Sequence, residues 1–272
     1  MSPAGSGRLR AACFAVVSIP VLSIALTSLS VSAAQGAATE YVALGDSFAS
    51  GVGSRTYYAD SGSCYRSPKA YPVIDAARIS ATLSFKACSG AQTGGVLNNQ
   101  LGTLGTDTDY VTVQVGGNDA GFSSVITTCA QPSWASNCNA AIDKAQAFIR
   151  AMLPGRLDNV YSSIHAKAPN ASVVVVGYPR LFNGQDCNAG TWFSPAEMTR
   201  LNATADLLNS TTKSRADAQG DAFVNPTNAY LGHAVCDAAE WVNGLANPIR
   251  ESYHPNVKGY GAYADLVDDH LT

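Results

Sequence analysis

Residues 41–54 read YVALGDSFASGVGS. The first four, YVAL, suit a buried strand. Asp46 and Ser47 are good turn and N-cap residues, and Gly45, Gly51 and Gly53 permit positive φ. Taken alone the stretch is a turn. What surrounds it decides whether the turn carries chemistry. If the strand belongs to a series alternating with helices, Ser47 stands just beyond a strand's carboxyl end. That is where open parallel sheets bind ligands.

Working outward, TLSFKA (82–87), VTVQV (111–115), SVVVVGYP (172–179) and DAFVN (221–225) read as further strands. The unbroken valines of 173–176 suggest burial on both faces, as in a parallel sheet. Between the strands lie helical patterns. SPKAYPVIDAARI (67–79) reads as a helix interrupted near Pro72. Residues 139–167 place Ile149, Leu153, Leu157, Val160 and Ile164 on one stripe, with a kink expected at Pro154. A helix from Ser194 opens on a capping box with Pro195 and Glu197, and carries Met198, Leu201, Ala205 and Leu208. A last helix is expected over about 256–270. The alternation predicts a three-layer α/β/α sandwich around a mainly parallel, flavodoxin-like sheet. Three loops then face the ligand side: Ser47 after the first strand, GGNDAGF (116–122) after the third, and SYHPN (252–256) before the last helix.

The chain has 272 residues. Arg8 and Arg10 precede 21 uncharged residues (11–31), and the small-residue run SAAQGAA follows. This order is that of a secretory signal, so residues 1–36 are expected to be removed and 37–272 to form one domain. Removal takes two arginines and no acid, changing the formal charge from −3 to −5. An acidic chain without a basic stripe is not built to coat nucleic acid. GDSFASGVG lacks the GxGxxG spacing of a dinucleotide loop. Without Cys13 six cysteines remain: Cys64, Cys88, Cys129, Cys138, Cys187 and Cys236. An even set in a secreted chain reads as disulfides. Fifteen connectivities are possible, of which neighbour pairing is the simplest. No CxxC occurs, and His165, His233, His254 and His270 show no ligand spacing. No metal and no cofactor are expected.

GDS near the start of the mature chain, a lone Gly90 in CSGA, GGND after a valine strand and HP near the end form an ordered four-part signature. It resembles the SGNH hydrolases, also called GDSL esterases and lipases. Within that family, ALGDSFASGVG, the six cysteines and SYHP look most like the secreted lipases and phospholipases A1 of Streptomyces-type bacteria. The resemblance spans nearly the whole mature chain. It implies Ser47 as nucleophile and His254 as general base and acid. It also implies an oxyanion hole of the Ser47 N–H, the Gly90 N–H and the Asn118 side chain. The chemistry needs these types. A serine hydroxyl requires a base as it attacks an ester, and the developing oxyanion requires fixed donors. Many relatives carry Asp three residues before the histidine, where this chain has Glu251. Either Glu251 completes a triad, or the Ser252 main-chain carbonyl orients His254 in a Ser–His dyad.

The branch resemblance implies hydrolysis of glycerolipid acyl esters at an interface, as a phospholipase A1 or lipase. A broad-specificity carboxylesterase or carbohydrate deacetylase is the alternative enzyme, and a secreted binding module on the same fold is the alternative without catalysis. The protein is expected to be an extracellular monomer with no obligate protein partner.

Overall fold

The computed structural model describes residues 7–16 and 38–271. Residues 7–16 form no helix or strand, and Cys13 there is unpaired. Most of the expected leader, with its cleavage zone, lies outside the described residues. No helix among the described residues is long and apolar enough to cross a membrane.

Residues 38–271 form one compact unit. It begins with β1 (Glu40–Gly45), the one-turn helix α1 (Ser47–Ser50), α2 (Tyr71–Arg78) and β2 (Thr82–Phe85). Next come α3 (Thr93–Asn99), β3 (Tyr110–Gln114), α4 (Phe122–Cys129), α5 (Cys138–Ala151) and α6 (Leu153–Lys167). The chain ends with β4 (Ser172–Val176), α7 (Pro195–Gln219), β5 (Ala222–Val224) and α8 (Val257–Asp268). The five strands are all parallel, in the order β2-β1-β3-β4-β5. The chain moves one way from β1 to β2 and the other way from β2 to β3. Right-handed crossovers therefore put α2 on one face and α3, α6 and α7 on the other. α8 packs on α2, while α7 packs on α5 and α6. The topological switch point falls between the carboxyl ends of β1 and β3.

Burial explains the strand sequences. Val111, Val113, Thr112 and Gln114 of the central strand β3 are all fully buried, so its polar positions face a helix layer and not water. Thr112 bonds the Tyr41 hydroxyl, and the Gln114 amide nitrogen donates to the Gly177 carbonyl and the Tyr263 hydroxyl, while its Oε1 has no protein partner among the described residues. The prolines act as helix starters. Pro72 lies in the first turn of α2, so the helix expected over 67–79 begins at Tyr71 and is not interrupted within. Pro154 opens α6, splitting the long pattern of 139–167 in two at Met152. The first turn tolerates proline because its N–H has no intrahelical acceptor. α7 carries the expected capping box of Ser194 and Glu197.

The six paired cysteines form Cys64–Cys88, Cys129–Cys138 and Cys187–Cys236, the neighbour pairing. Cys64–Cys88 ties the loop after β1 to the end of β2. Cys129–Cys138 joins α4 to α5.

Candidate active site

Ser47 follows β1 directly, as the first residue of α1. The Asp46 side chain accepts the Phe48 N–H at 2.9 Å, fixing the elbow. Its other oxygen accepts the Tyr178 hydroxyl at 2.6 Å. Asp46 is 1% exposed, and burial raises its carboxyl to about 7, against the lowering effect of the Tyr178 and Phe48 bonds. Tyr178 stands just beyond β4 and also approaches the Gly117 N–H at 3.5 Å. One hydroxyl thus sits between the Ser47 elbow and the loop carrying Asn118.

His254 reaches Ser47 from the far end of the sequence. Its Nε2 lies 2.8 Å from Ser47 Oγ, and its Nδ1 lies 2.9 Å from the Ser252 carbonyl. A carbonyl only accepts, so Nδ1 carries the hydrogen and Nε2 is the free base facing the serine hydroxyl. Burial lowers the imidazole from 6.5 to about 4, opposed by the Ser252 carbonyl. The ring sits out of water, packed against Phe48 and Phe122, so the ordinary histidine value does not hold here.

Glu251 is buried, but its Oε1 accepts the Tyr57 hydroxyl at 2.7 Å. That hydroxyl in turn accepts the Gly53 N–H at 3.1 Å. The carboxylate is therefore engaged with the loop after α1, and the imidazole Nδ1 is engaged with Ser252. Asn243 supports the same region, donating to the carbonyls of Gly53 and Glu251.

The Asn118 amide donates one hydrogen to the Ala91 carbonyl at 3.0 Å, which orients the side chain. Gln92 donates to the Asn118 carbonyl at 3.2 Å. Next to it, Asp119 receives the Thr93 N–H, the Thr93 hydroxyl and Arg156, and so pins the loop to α3 and α6. Among the described residues the N–H groups of Ser47 and Gly90 donate to no protein acceptor. Gly90 adopts φ +79, which favours glycine, and a Cβ there would point into open space. A side chain would meet an incoming ligand and not the protein.

Beside these groups opens a narrow apolar cavity of about 80 Å³, lined by Ser47 and Asn118 together with Phe48, Phe122, Ile126, Leu181 and Leu208. The aromatics near the signature blocks divide. Phe48 and Phe122 line this cavity, Phe193 packs inside against Phe182 and Tyr253, and Trp134 and Trp192 are exposed. Sequence reasoning passed over Tyr178 and Asp119. Tyr178 lies just beyond β4 and Asp119 closes the GGND block, both on the ligand side of the sheet, and that position is the signal that marks them.

A sequence model of the GDSL-like Lipase/Acylhydrolase family matches residues 43–262. Lipase 1 of Streptomyces coelicolor is 45% identical over 241 residues, covering 87% of this chain and 88% of that protein. The crystal structure of an extracellular lipase from Streptomyces rimosus aligns with a TM-score of 0.81 at 44% identity, over 86% of this chain and all of that one. That of phospholipase A1 from Streptomyces albidoflavus NA297 aligns at 0.82 and 46%, with the same coverage.

Proposed function

The chain belongs to the GDSL-like lipase/acylhydrolase family and is a serine-type carboxylic ester hydrolase, and from that premise we propose that it is a secreted phospholipase A1. The observation that carries the site is the pair of contacts on one imidazole, 2.8 Å to Ser47 Oγ and 2.9 Å to the Ser252 carbonyl, at the mouth of an apolar cavity.

In the proposed cycle the Ser47 hydroxyl gives its proton to His254 Nε2 as its oxygen attacks the ester carbonyl. The Ser252 carbonyl holds the Nδ1 hydrogen throughout, so one tautomer is presented and the imidazolium is partly stabilised. Negative charge on the former carbonyl oxygen is met by the N–H groups of Ser47 and Gly90 and by the second amide hydrogen of Asn118. His254 then gives the proton to the leaving glycerol oxygen, and the acyl group stays on Ser47. Water repeats the sequence, releasing the fatty acid. The acyl chain lies in the apolar cavity. The family's lipases and the phospholipase A1 similarity support glycerolipids as substrates. The extracellular lipase similarity, with the leader-like residues 1–36, supports secretion and a mature chain from about residue 37.

The test is product analysis on a phosphatidylcholine bearing different acids at sn-1 and sn-2. The sn-1 acid and a 2-acyl lysolipid are expected first. Dominant sn-2 release, or inertness toward lipids beside rapid deacetylation of sugars, would overturn the reading.

A further inference from the structure

A second cavity, of about 380 Å³, lies at the carboxyl end of β2. Its lining is more polar than that of the first. Its walls include Arg66, Lys86, Ser89, Gly90, Asn99 and Gln100. Arg66 and Lys86 are both half-buried, and among the described residues neither has a carboxylate within ion-pair distance. Among the described residues neither side chain donates a hydrogen bond to a protein acceptor. Two half-buried cations lining one cavity of a net-acidic chain, neither with a protein counter-charge among the described residues, form a place for an anion. Gln100 is held against Gly45, its Oε1 accepting the Gly45 N–H and its Nε2 donating one hydrogen to the Gly45 carbonyl.

One hydrogen bond links the two linings, which have no residue in common. The Ala91 carbonyl receives Asn118, which lines the apolar cavity, while Ser89, Gly90 and Ala91 line the cationic one. Gly90 lines the cationic cavity and Asn118 the apolar one, so an ester carbonyl held by both would stand between the two linings. We infer that the Arg66–Lys86 cavity is a subsite for the phosphate ester of the substrate's headgroup. This rests on the phospholipase reading, and it gives that reading a physical basis for selecting phospholipids over neutral glycerides. A phosphodiester offers two non-bridging oxygens that share one negative charge to a guanidinium fork and an ammonium. A diacylglycerol offers them nothing.

The experiment compares dihexanoylphosphatidylglycerol with dihexanoylglycerol, both kept monomeric, for the parent and for Arg66→Gln, Lys86→Gln and the double variant. Phosphate is gripped equally before and during the reaction, so the loss belongs in KM and not in kcat. The ratio of kcat/KM for the phospholipid to that for the diacylglycerol should fall about tenfold in the double variant. An unchanged ratio, whether both activities fall or neither does, would overturn the subsite. If the parent does not cleave the phospholipid, the phospholipase reading falls separately. The subsite is then still tested by glycerol 3-phosphate as an inhibitor of diacylglycerol hydrolysis. Inhibition should weaken in the double variant, and equal inhibition of parent and variant would overturn it. Inhibition of the parent by inorganic phosphate as strong as by glycerol 3-phosphate would replace the headgroup with a free anion.

Discussion

Ser47 and His254 meet at 2.8 Å, but their supports differ. Ser47 stands on regular structure. β1 is a central strand with parallel neighbours on both sides, and α1 starts at once behind an Asp46 cap. His254 stands on a segment, 225–256, that contains only one helical turn (Ile249–Glu251) and isolated bridges. Its position comes from scattered single contacts. The Asn243 N–H donates to its carbonyl, the Tyr253 N–H donates to the Asn243 carbonyl, and the Tyr57–Glu251 bond braces the turn before it. A nucleophile needs one fixed point, and a sheet provides it. A base brought from 207 residues away needs several independent braces.

The largest effect belongs to the regular side. Ser47→Ala should take turnover below detection while circular dichroism and the thermal transition stay close to the parent's, because the elbow is held by Asp46 and the strand and not by the Ser47 hydroxyl. Residual turnover within a hundredfold of the parent would remove Ser47 from the chemistry.

The irregular side should break from a distance. Gly53 has φ +101, and a Cβ on it would fall on the Pro255 carbonyl oxygen and lie 3.0 Å from His254 Cβ. Gly53→Ala should therefore push the His254 segment away from Ser47 without altering either residue. Misplacement by about 1 Å costs roughly 10²-fold, so kcat on a soluble ester should fall by about that factor. Retained kcat would show that the histidine segment is held more rigidly than its contacts indicate.

The two sides also differ in titration. Activity needs neutral His254, and burial lowers its pKa to about 4. The acid limb of kcat/KM should then lie near pH 4. At pH 5 the enzyme should keep most of its activity, where a histidine titrating at 6.5 would have lost about thirtyfold. An acid limb near 6.5 would mean that water reaches the ring. The same burial carries a stability cost. Between about 4 and 6.5 the unfolded chain binds a proton at His254 that the folded chain does not, so this group lowers stability as pH falls. Asp46, raised to about 7, acts in the opposite sense. The folded chain holds its proton between 3.8 and about 7, and that contribution is lost as pH rises through the window.

This contrast also explains what the sequence made legible. β1, β4 and the start of α7 were readable, because valine runs and a capping box are local signals. The signature residues Ser47, Gly90, Asn118 and His254 were legible as a set. Ser47 and Asn118 line the apolar cavity, His254 Nε2 lies 2.8 Å from Ser47 Oγ, and Gly90 lines the second cavity. α3 and α4 were not. They are seven and eight residues long, and α4 carries Val, Ile and two Thr, so packing against α5 and the Cys129–Cys138 bridge must override weak helix propensity. The depressed His254 pKa was equally invisible, since it depends on rings that arrive from β1's elbow and α4. Arg66 and Lys86 lie twenty residues apart and line one cavity beside the Cys64–Cys88 bridge, which ties their two loops together.

The smallest effect tests how His254 is oriented. A carboxylate partner would stabilise the imidazolium by charge, and its loss should cost orders of magnitude. A backbone carbonyl orients the ring by its dipole and survives side-chain changes. Glu251→Gln keeps an oxygen acceptor for the Tyr57 hydroxyl, so kcat should fall less than about tenfold, roughly 1.4 kcal/mol of barrier. Ser252→Ala removes the acceptor of the Ala246 N–H but not the carbonyl facing Nδ1, and should also stay within that range. Ser252→Pro sharpens the distinction. Its native φ of −64° already suits proline, but the substitution deletes the N–H bonded to the Ile249 carbonyl and disfavours the helical conformation of Glu251 before it. It should lose more than either neighbour variant through displacement of the carbonyl, although no charge is touched. All three are measured on a soluble ester, with folding checked. Collapse of kcat in Glu251→Gln alone would make Glu251 the acid of a triad, and the contrast between a charged and a dipolar partner would then be decided against the Ser252 carbonyl.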